Sequence, residues 1–455
     1  MKTYSHLIVL FLLSVVCLTA AAQNRLETSP LTGSSSAETV DLPTLIERGL
    51  QNIFQLQIVR NQERVAENNA TWANAGYLPK VNLNTGYNGN LQNSNTEARQ
   101  SGTVNKERNT FSHNINAGVF SEWTVFDGFK IQTNYKRLQE LRQMSATQTR
   151  ISLENYIADL AAEYYELIQQ KIQLKNLRNT VELSRERLRI VEERYHIGSG
   201  SKLAVQQAQV DFNADSARCL KQIELLRSAS IHLNLLIADE NLGKQLHIAS
   251  TSITVDSTLV LEDLWNHTLQ ANAQLFKAAQ NRTLAELDWK SVQSRDYPYI
   301  KLNADYTYRF SKVNEGPTTR RQNWGPDFGV TIGYRLFDGN RKRERRNAQI
   351  GMENAELAQR NLKLSLKADL VNLWQAYQNN LLLLKLEREN LVTAKDNHVI
   401  ARERYLLGDL SGIEMREAQQ NLLNAEERIL VAEYQTKLCE ISLLQLSGDI
   451  MQFVS

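Results

Sequence analysis

Six prolines, three cysteines and five methionines are all that 455 residues hold of those types, and the 20 glycines are few and clustered. So few helix breakers leave long stretches free to be helical. Seven histidines show no H-x-x-x-H spacing, and His196 and His398 stand alone in helical patterns. No H-E-x-x-H, G-x-S-x-G or G-x-G-x-x-G is present, so no enzyme and no cofactor is expected. Five scattered methionines are too few for a copper relay. A formal charge of +2 with 42% hydrophobic and 22% charged residues argues against disorder and against nucleic acid as a partner. Beyond the first residues no run approaches 18 apolar positions. A membrane crossing would therefore have to use strands.

The N-terminus assigns the compartment. Lys2, the run LIVLFLLSVVCLTA and the triplet Ala20, Ala21 and Ala22 before Gln23 describe a secretory signal peptide over 1–22. The alternative, an anchoring helix, falls short of the roughly 20 residues that a span needs. Cys17 follows Val16 where a lipoprotein signal has a small residue. Two cysteines then remain, Cys219 and Cys439, in helical patterns without C-x-x-C spacing. They read as small apolar fillers, and the sequence leaves a disulfide between them open.

The rest of the chain is one unit written twice. ERYHIGSGSKLAVQQAQ at 193–209 matches ERYLLGDLSGIEMREAQ at 403–419, a spacing of 210. VFDG from Val125 matches LFDG from Leu336, a spacing of 211, and Pro79 matches Pro298 at 219. The difference between 219 and 211 puts eight extra residues into the first copy. The polar run NGNLQNSNTEARQSGTVNKERNT reads as the surface loop that holds them. The division is then a linker over 23–40, repeat 1 over 41–240, a connector over 241–260, repeat 2 over 261–447 and a tail over 448–455.

Within each copy the hydrophobic period changes. A helical pattern, about 41–75 in the first copy, gives way to alternation. Ile300, Leu302, Ala304, Tyr306, Tyr308 and Phe310 oppose polar neighbours, and after a loop Phe328, Val330, Ile332, Tyr334 and Leu336 do the same. Hairpins are expected at about 78–126 and 297–337. Long helices follow at about 128–197 and 339–406, with a seven-residue series Leu153, Leu160, Leu167, Leu174, Val181, Leu188 and Tyr195. Its counterpart is Leu370, Tyr377, Leu384, Leu391, His398 and Tyr405. After a tip turn the pattern runs on for a half-length helix. A helix of about 70 residues is roughly 105 Å long. Two half-length helices stacked end to end match it, and the result is a tube wall or a stalk.

Phe126, Asp127 and Gly128, and again Phe337, Asp338 and Gly339, mark the strand-to-helix junctions. Asp accepts from orphan amides at a helix start and suits its dipole, and Gly permits the turn. Four strands per chain cannot close a barrel, so oligomers are needed. Tyr77, Trp123, Tyr297, Tyr299 and Trp324 lie near strand ends, as an interfacial belt would. Two other classes compete: a soluble β-sandwich, and a secreted coiled-coil scaffold or adhesin. The adhesin leaves the two hairpins and matched half-length helices unexplained.

The leader, the doubled architecture, VFDG/LFDG and the tip sequences YHIGSG and YLLGDLSG resemble the TolC family of outer-membrane efflux proteins over about 41–447. The resemblance implies a mostly α fold with a β-barrel part. It further implies a homotrimer with a 12-stranded transmembrane barrel, four strands per chain, on a long periplasmic α-helical barrel. It also implies an exit duct for a tripartite efflux pump or, alternatively, for type I protein secretion. The partners implied are outer-membrane lipid, a periplasmic adaptor and, through it, an inner-membrane transporter of RND or ABC type. Tyr195, Gly198, Tyr405 and Gly408 fall on the tips where adaptors dock. Glu414 and Glu417, with Gln207 as the matching first-copy position, fall at the pore constriction, where acidic rings favour cations. Ala204 stands where some relatives have a first acidic ring, and Leu410 where some have a locking Arg.

Overall fold

The computed structural model describes residues 39–97, 102, 104–244, 246–248, 252–314 and 319–454. The expected signal peptide and linker residues 23–38 lie outside them. From Val40 onward the chain forms one unit.

Helix α1, Leu42–Asn52, begins where extended Asp41 accepts a hydrogen bond from the Thr44 amide at 3.2 Å. Helix α2, Phe54–Asn69, follows after the single extended residue Ile53, ψ 121°. Repeat 2 breaks in the same way. Helix α5, Leu261–Ala271, and helix α6, Ala273–Gln293, are separated by Asn272, ψ 118°. The sequence pattern reads each pair as one helix. Hydrogen bonding explains the break in repeat 2. Asn272 Oδ1 accepts from the Leu275 amide at 3.0 Å, starting α6, while its Nδ2 donates to the Leu446 carbonyl at 2.9 Å.

Strand β1, Lys80–Glu97, pairs with β2, Val104–Asp127, and β3, Tyr299–Val313, pairs with β4, Arg320–Gly333. The two hairpins join through β2 and β3 into one antiparallel sheet of order β1-β2-β3-β4. Two expectations are corrected here. The polar run after Tyr87 is not all loop, because 88–97 and 104–110 extend the first hairpin. Its amides find strand partners and side-chain acceptors, Asn93 Oδ1 taking the Asn109 amide at 2.6 Å. Repeat 2's alternating run was expected to continue through Leu336, yet β4 ends at Gly333. Tyr299 is the last residue of β3 available to pair there, so the backbone beyond has no ladder.

Helix α3, Lys130–His196, and helix α7, Arg341–Leu407, have 67 residues each. At about 1.5 Å per residue each is roughly 100 Å long. Helix α4, Lys202–Leu236, and helix α8, Gly412–Ser447, return with 35 and 36 residues. Of the expected seam, Leu160, Leu167 and Leu174 are buried in α3, and Leu370, Tyr377, Leu384, His398 and Tyr405 in α7. The main core lies midway, where Leu45 and Ile46 of α1 meet Ile157, Leu160 and Ile168 of α3, Leu233 of α4 and Ile450. A smaller cluster of Val191, Ala208, Ala401, Tyr405, Met415 and Ala418 closes the far end. Cys219 and Cys439 are free thiols.

Candidate functional site at the helix-hairpin tips

The two junctions differ although their sequences match. At the first, Asp127 Oδ1 accepts from the Ile131 amide at 3.0 Å, capping α3 as expected. Gly128 has φ +70°, and a Cβ there would lie 2.1 Å from the Ser294 carbonyl oxygen. Phe126 and Phe129 meet edge-on, and Phe129 meets Tyr297 of repeat 2. At the second, the Asp338 side chain accepts from the Asn340 amide at 3.0 Å and from Arg335 at 3.2 Å, and only its backbone carbonyl takes an α7 amide, that of Arg341 at 3.1 Å. Gly339 is absent from the left-handed glycines and Phe337 is 88% exposed. The first junction is packed against the next repeat; the second faces outward.

The tips lie at the opposite ends of the long helices. Gly198, φ +82°, and Gly408, φ +88°, take the left-handed conformation that ends α3 and α7. Any Cβ at either would meet open space, so the conformation alone selects glycine. Ser201 Oγ accepts from the Ala204 amide at 3.1 Å to start α4. Ile197, Leu203, Leu407 and Ile413 are each more than two-thirds exposed there, a solvent-facing apolar set. The paired tyrosines diverge. Tyr195 is half-exposed, whereas Tyr405 is buried, with the Arg194 guanidinium 4.9 Å above its ring and donating to its carbonyl at 2.9 Å.

Glu414 is the third residue of α8. Its Oε2 accepts from the Ser411 amide at 3.0 Å while its own amide donates to Ser411 Oγ at 3.3 Å, a reciprocal capping box. The bond from the Ser411 backbone holds its carboxyl below the usual range, so the group stays charged. Glu417 and Gln207 are exposed, and neither side chain has a hydrogen bond or ion pair among the described residues.

Between Glu414 and Glu417 stands a residue that sequence reasoning passed over. Arg416 reaches from α8 into repeat 1, where Nη1 and Nη2 bond the two oxygens of Asp215 at 2.6 and 2.8 Å. Asp215 is fully buried and also accepts from Ser184 of α3. One turn nearer the tip, buried Arg187 of α3 pairs with Asp211 of α4 and donates to the Gly412 carbonyl at 3.4 Å. The Asp215 hydrogen bonds raise the Arg416 pKa against the opposing effect of burial. The available signals were Asp211 and Asp215 on one face of α4, four residues apart, and an arginine flanked by glutamates.

A family model described as outer membrane efflux protein matches residues 45–238 and again 264–449. The outer membrane protein TolC of Vibrio cholerae is 23% identical over 436 residues, which cover 92% of this chain and 93% of that relative. Among solved structures, VceC of Vibrio cholerae superposes with TM-score 0.70 at 17% identity, covering 90% of this chain and 96% of its own. The CmeC outer membrane channel of Campylobacter jejuni gives 0.71 at 15% identity, covering 94% of each.

Proposed function

The chain belongs to the outer membrane efflux protein family, and from that premise we propose that three copies close one twelve-stranded barrel over a continuous helical conduit. The protein resides in the outer membrane with its helical part in the periplasm, and serves as the exit duct of an efflux pump. Its role is passage, and no residue is assigned to catalysis.

The observation that carries the assembly is the join between β2 and β3. In one chain the second strand of one repeat already pairs with the first strand of the next, from Ser112 opposite Val313 to Asp127 opposite Tyr299. The free edges of β1 and β4 are the same two surfaces left unmatched. Phe126, which packs on Phe129 at the first junction, likewise has an exposed counterpart at Phe337. A four-stranded arc that repeats its own internal joint closes in three copies, at twelve strands, within the range of outer-membrane barrels.

Partners follow from the tips. The exposed apolar set around Gly198 and Gly408 is the docking surface for a periplasmic adaptor that connects to an inner-membrane transporter. Glu414 and Glu417 of three chains ring the constriction, where a negative potential favours cations. The test is direct. Purified protein should run as a heat-sensitive trimer in detergent and conduct ions in planar bilayers, and cells lacking it should accumulate an efflux substrate. A detergent-free, folded monomer without conductance would refute the duct.

A further inference from the structure

We propose that Arg416 is the positioning residue of the periplasmic entrance, holding the first turns of α8, and with them Glu414 and Glu417, at a fixed distance from repeat 1. This rests on the duct reading above. Leu410 offers no charge and Ala204 on α4 offers no side-chain acceptor, and the polar tie at the tip itself, Arg194 of α3 to the Tyr405 carbonyl, holds α7 and not α8. The tie lies deeper. Arg416 is flanked by two glutamates on its own helix, yet turns away from both and bonds Asp215 through two parallel N–H···O contacts. A two-pronged pair fixes direction as well as distance, which a single contact to a lysine cannot do.

The acceptor is itself held. Asp215 accepts from Ser184 of α3, and neighbouring Asp211 accepts from Arg187, whose other nitrogen reaches the Gly412 carbonyl at the start of α8. Arg416 Nε lies 3.9 Å from Asp211, so the two aspartates share the two arginines. These groups, with Arg218 of α4 a further 4.0 Å from Asp215, join both helices of repeat 1's hairpin to the return helix of repeat 2. Salt reaches such a partly buried set poorly, and loss of Arg416 leaves fully buried Asp215 with only the more distant Arg218. Glu417, one residue along from Arg416, is exposed, and its side chain has no partner among the described residues. The same helical turn is therefore anchored on one side and presents its carboxylate on the other.

The experiment uses the full-length trimer with Arg416→Lys and Arg416→Met, read by single-channel conductance, cation-over-anion permeability and the heating midpoint of the trimer. Arg416→Met should raise conductance several-fold and reduce cation preference, with Arg416→Lys between it and the parent because charge is kept and the fork is lost. Should Arg416→Met fail to assemble, Arg416→Lys decides alone. A lowered heating midpoint with parental conductance and selectivity in the assembled variants would reduce Arg416 to a structural residue and overturn the proposal. If the parent trimer itself does not conduct, the duct reading fails first, and the two failures are told apart by that control.

Discussion

At the residue scale, identical sequence carries different burdens in the two copies. Gly128 has both a left-handed backbone and a backbone oxygen where a side chain would begin. Gly128→Ala should therefore lower stability by more than the roughly 1–2 kcal/mol that left-handed strain alone costs, as read by denaturant unfolding of the detergent-solubilised protein. His398 offers a second test. It is buried, its Nε2 has no hydrogen-bond partner among the described residues, and burial followed by the nearby Arg402 charge pushes its pKa below 6.5. The unfolded chain then binds a proton that the folded chain resists, so stability is full above 6.5 and falls as pH drops below that value. Replacing His398 with Gln should flatten the acid-side loss in a pH series of heating midpoints; an unchanged slope would contradict it. At the tips, Glu414→Gln with Glu417→Gln should reduce cation preference in bilayer recordings, and unchanged selectivity would remove these carboxylates from the constriction.

At the element scale, the caps and the seam were legible and the interruptions were not. The seven-residue series, the tip glycines and the Asp127 cap follow from spacing and from residue types with one conformational use. Ile53 and Asn272 gave no such signal. Each sits in an unbroken helical period, and the extended backbone at Asn272 comes with a bond to the end of α8, a tertiary contact. Strand pairing over 88–97 was hidden for another reason. Alternation marks a strand only where one face is apolar, and both faces of that run are Asn, Gln, Ser, Thr and Gly apart from Leu91 and Glu97. The charge cluster of Arg187, Asp211, Asp215 and Arg416 draws on three helices and two repeats, so sequence spacing shows only its halves. One cap can be tested singly. Ser201→Ala removes the acceptor for the Ala204 amide and should cost about 1 kcal/mol, with an unfolding midpoint lowered accordingly.

At the scale of the whole molecule, the internal duplication supplies the geometry of assembly as well as the architecture. Val119 of β2 stands opposite Tyr306 of β3. Moving Val119 forward by the 211-residue spacing gives Val330 on β4, and moving Tyr306 back by 219 gives Tyr87 on β1. Both are exposed apolar residues on free edges. If each subunit repeats its internal joint with the next, Val330 stands opposite Tyr87 of the partner subunit. Residues directly opposite on antiparallel strands have Cα atoms about 4.5–5.5 Å apart, inside the range a disulfide spans.

Oxidative crosslinking of Tyr87→Cys with Val330→Cys, in a chain with Cys219 and Cys439 replaced by serine, tests this account most directly. It predicts a covalent trimer on denaturing gels from the double variant and none from either single variant, while Val119→Cys with Tyr306→Cys, the internal pair, closes within one chain. If the internal pair closes and the edge pair yields only monomer, the barrel is not built by repeating that joint, and the closed duct is contradicted.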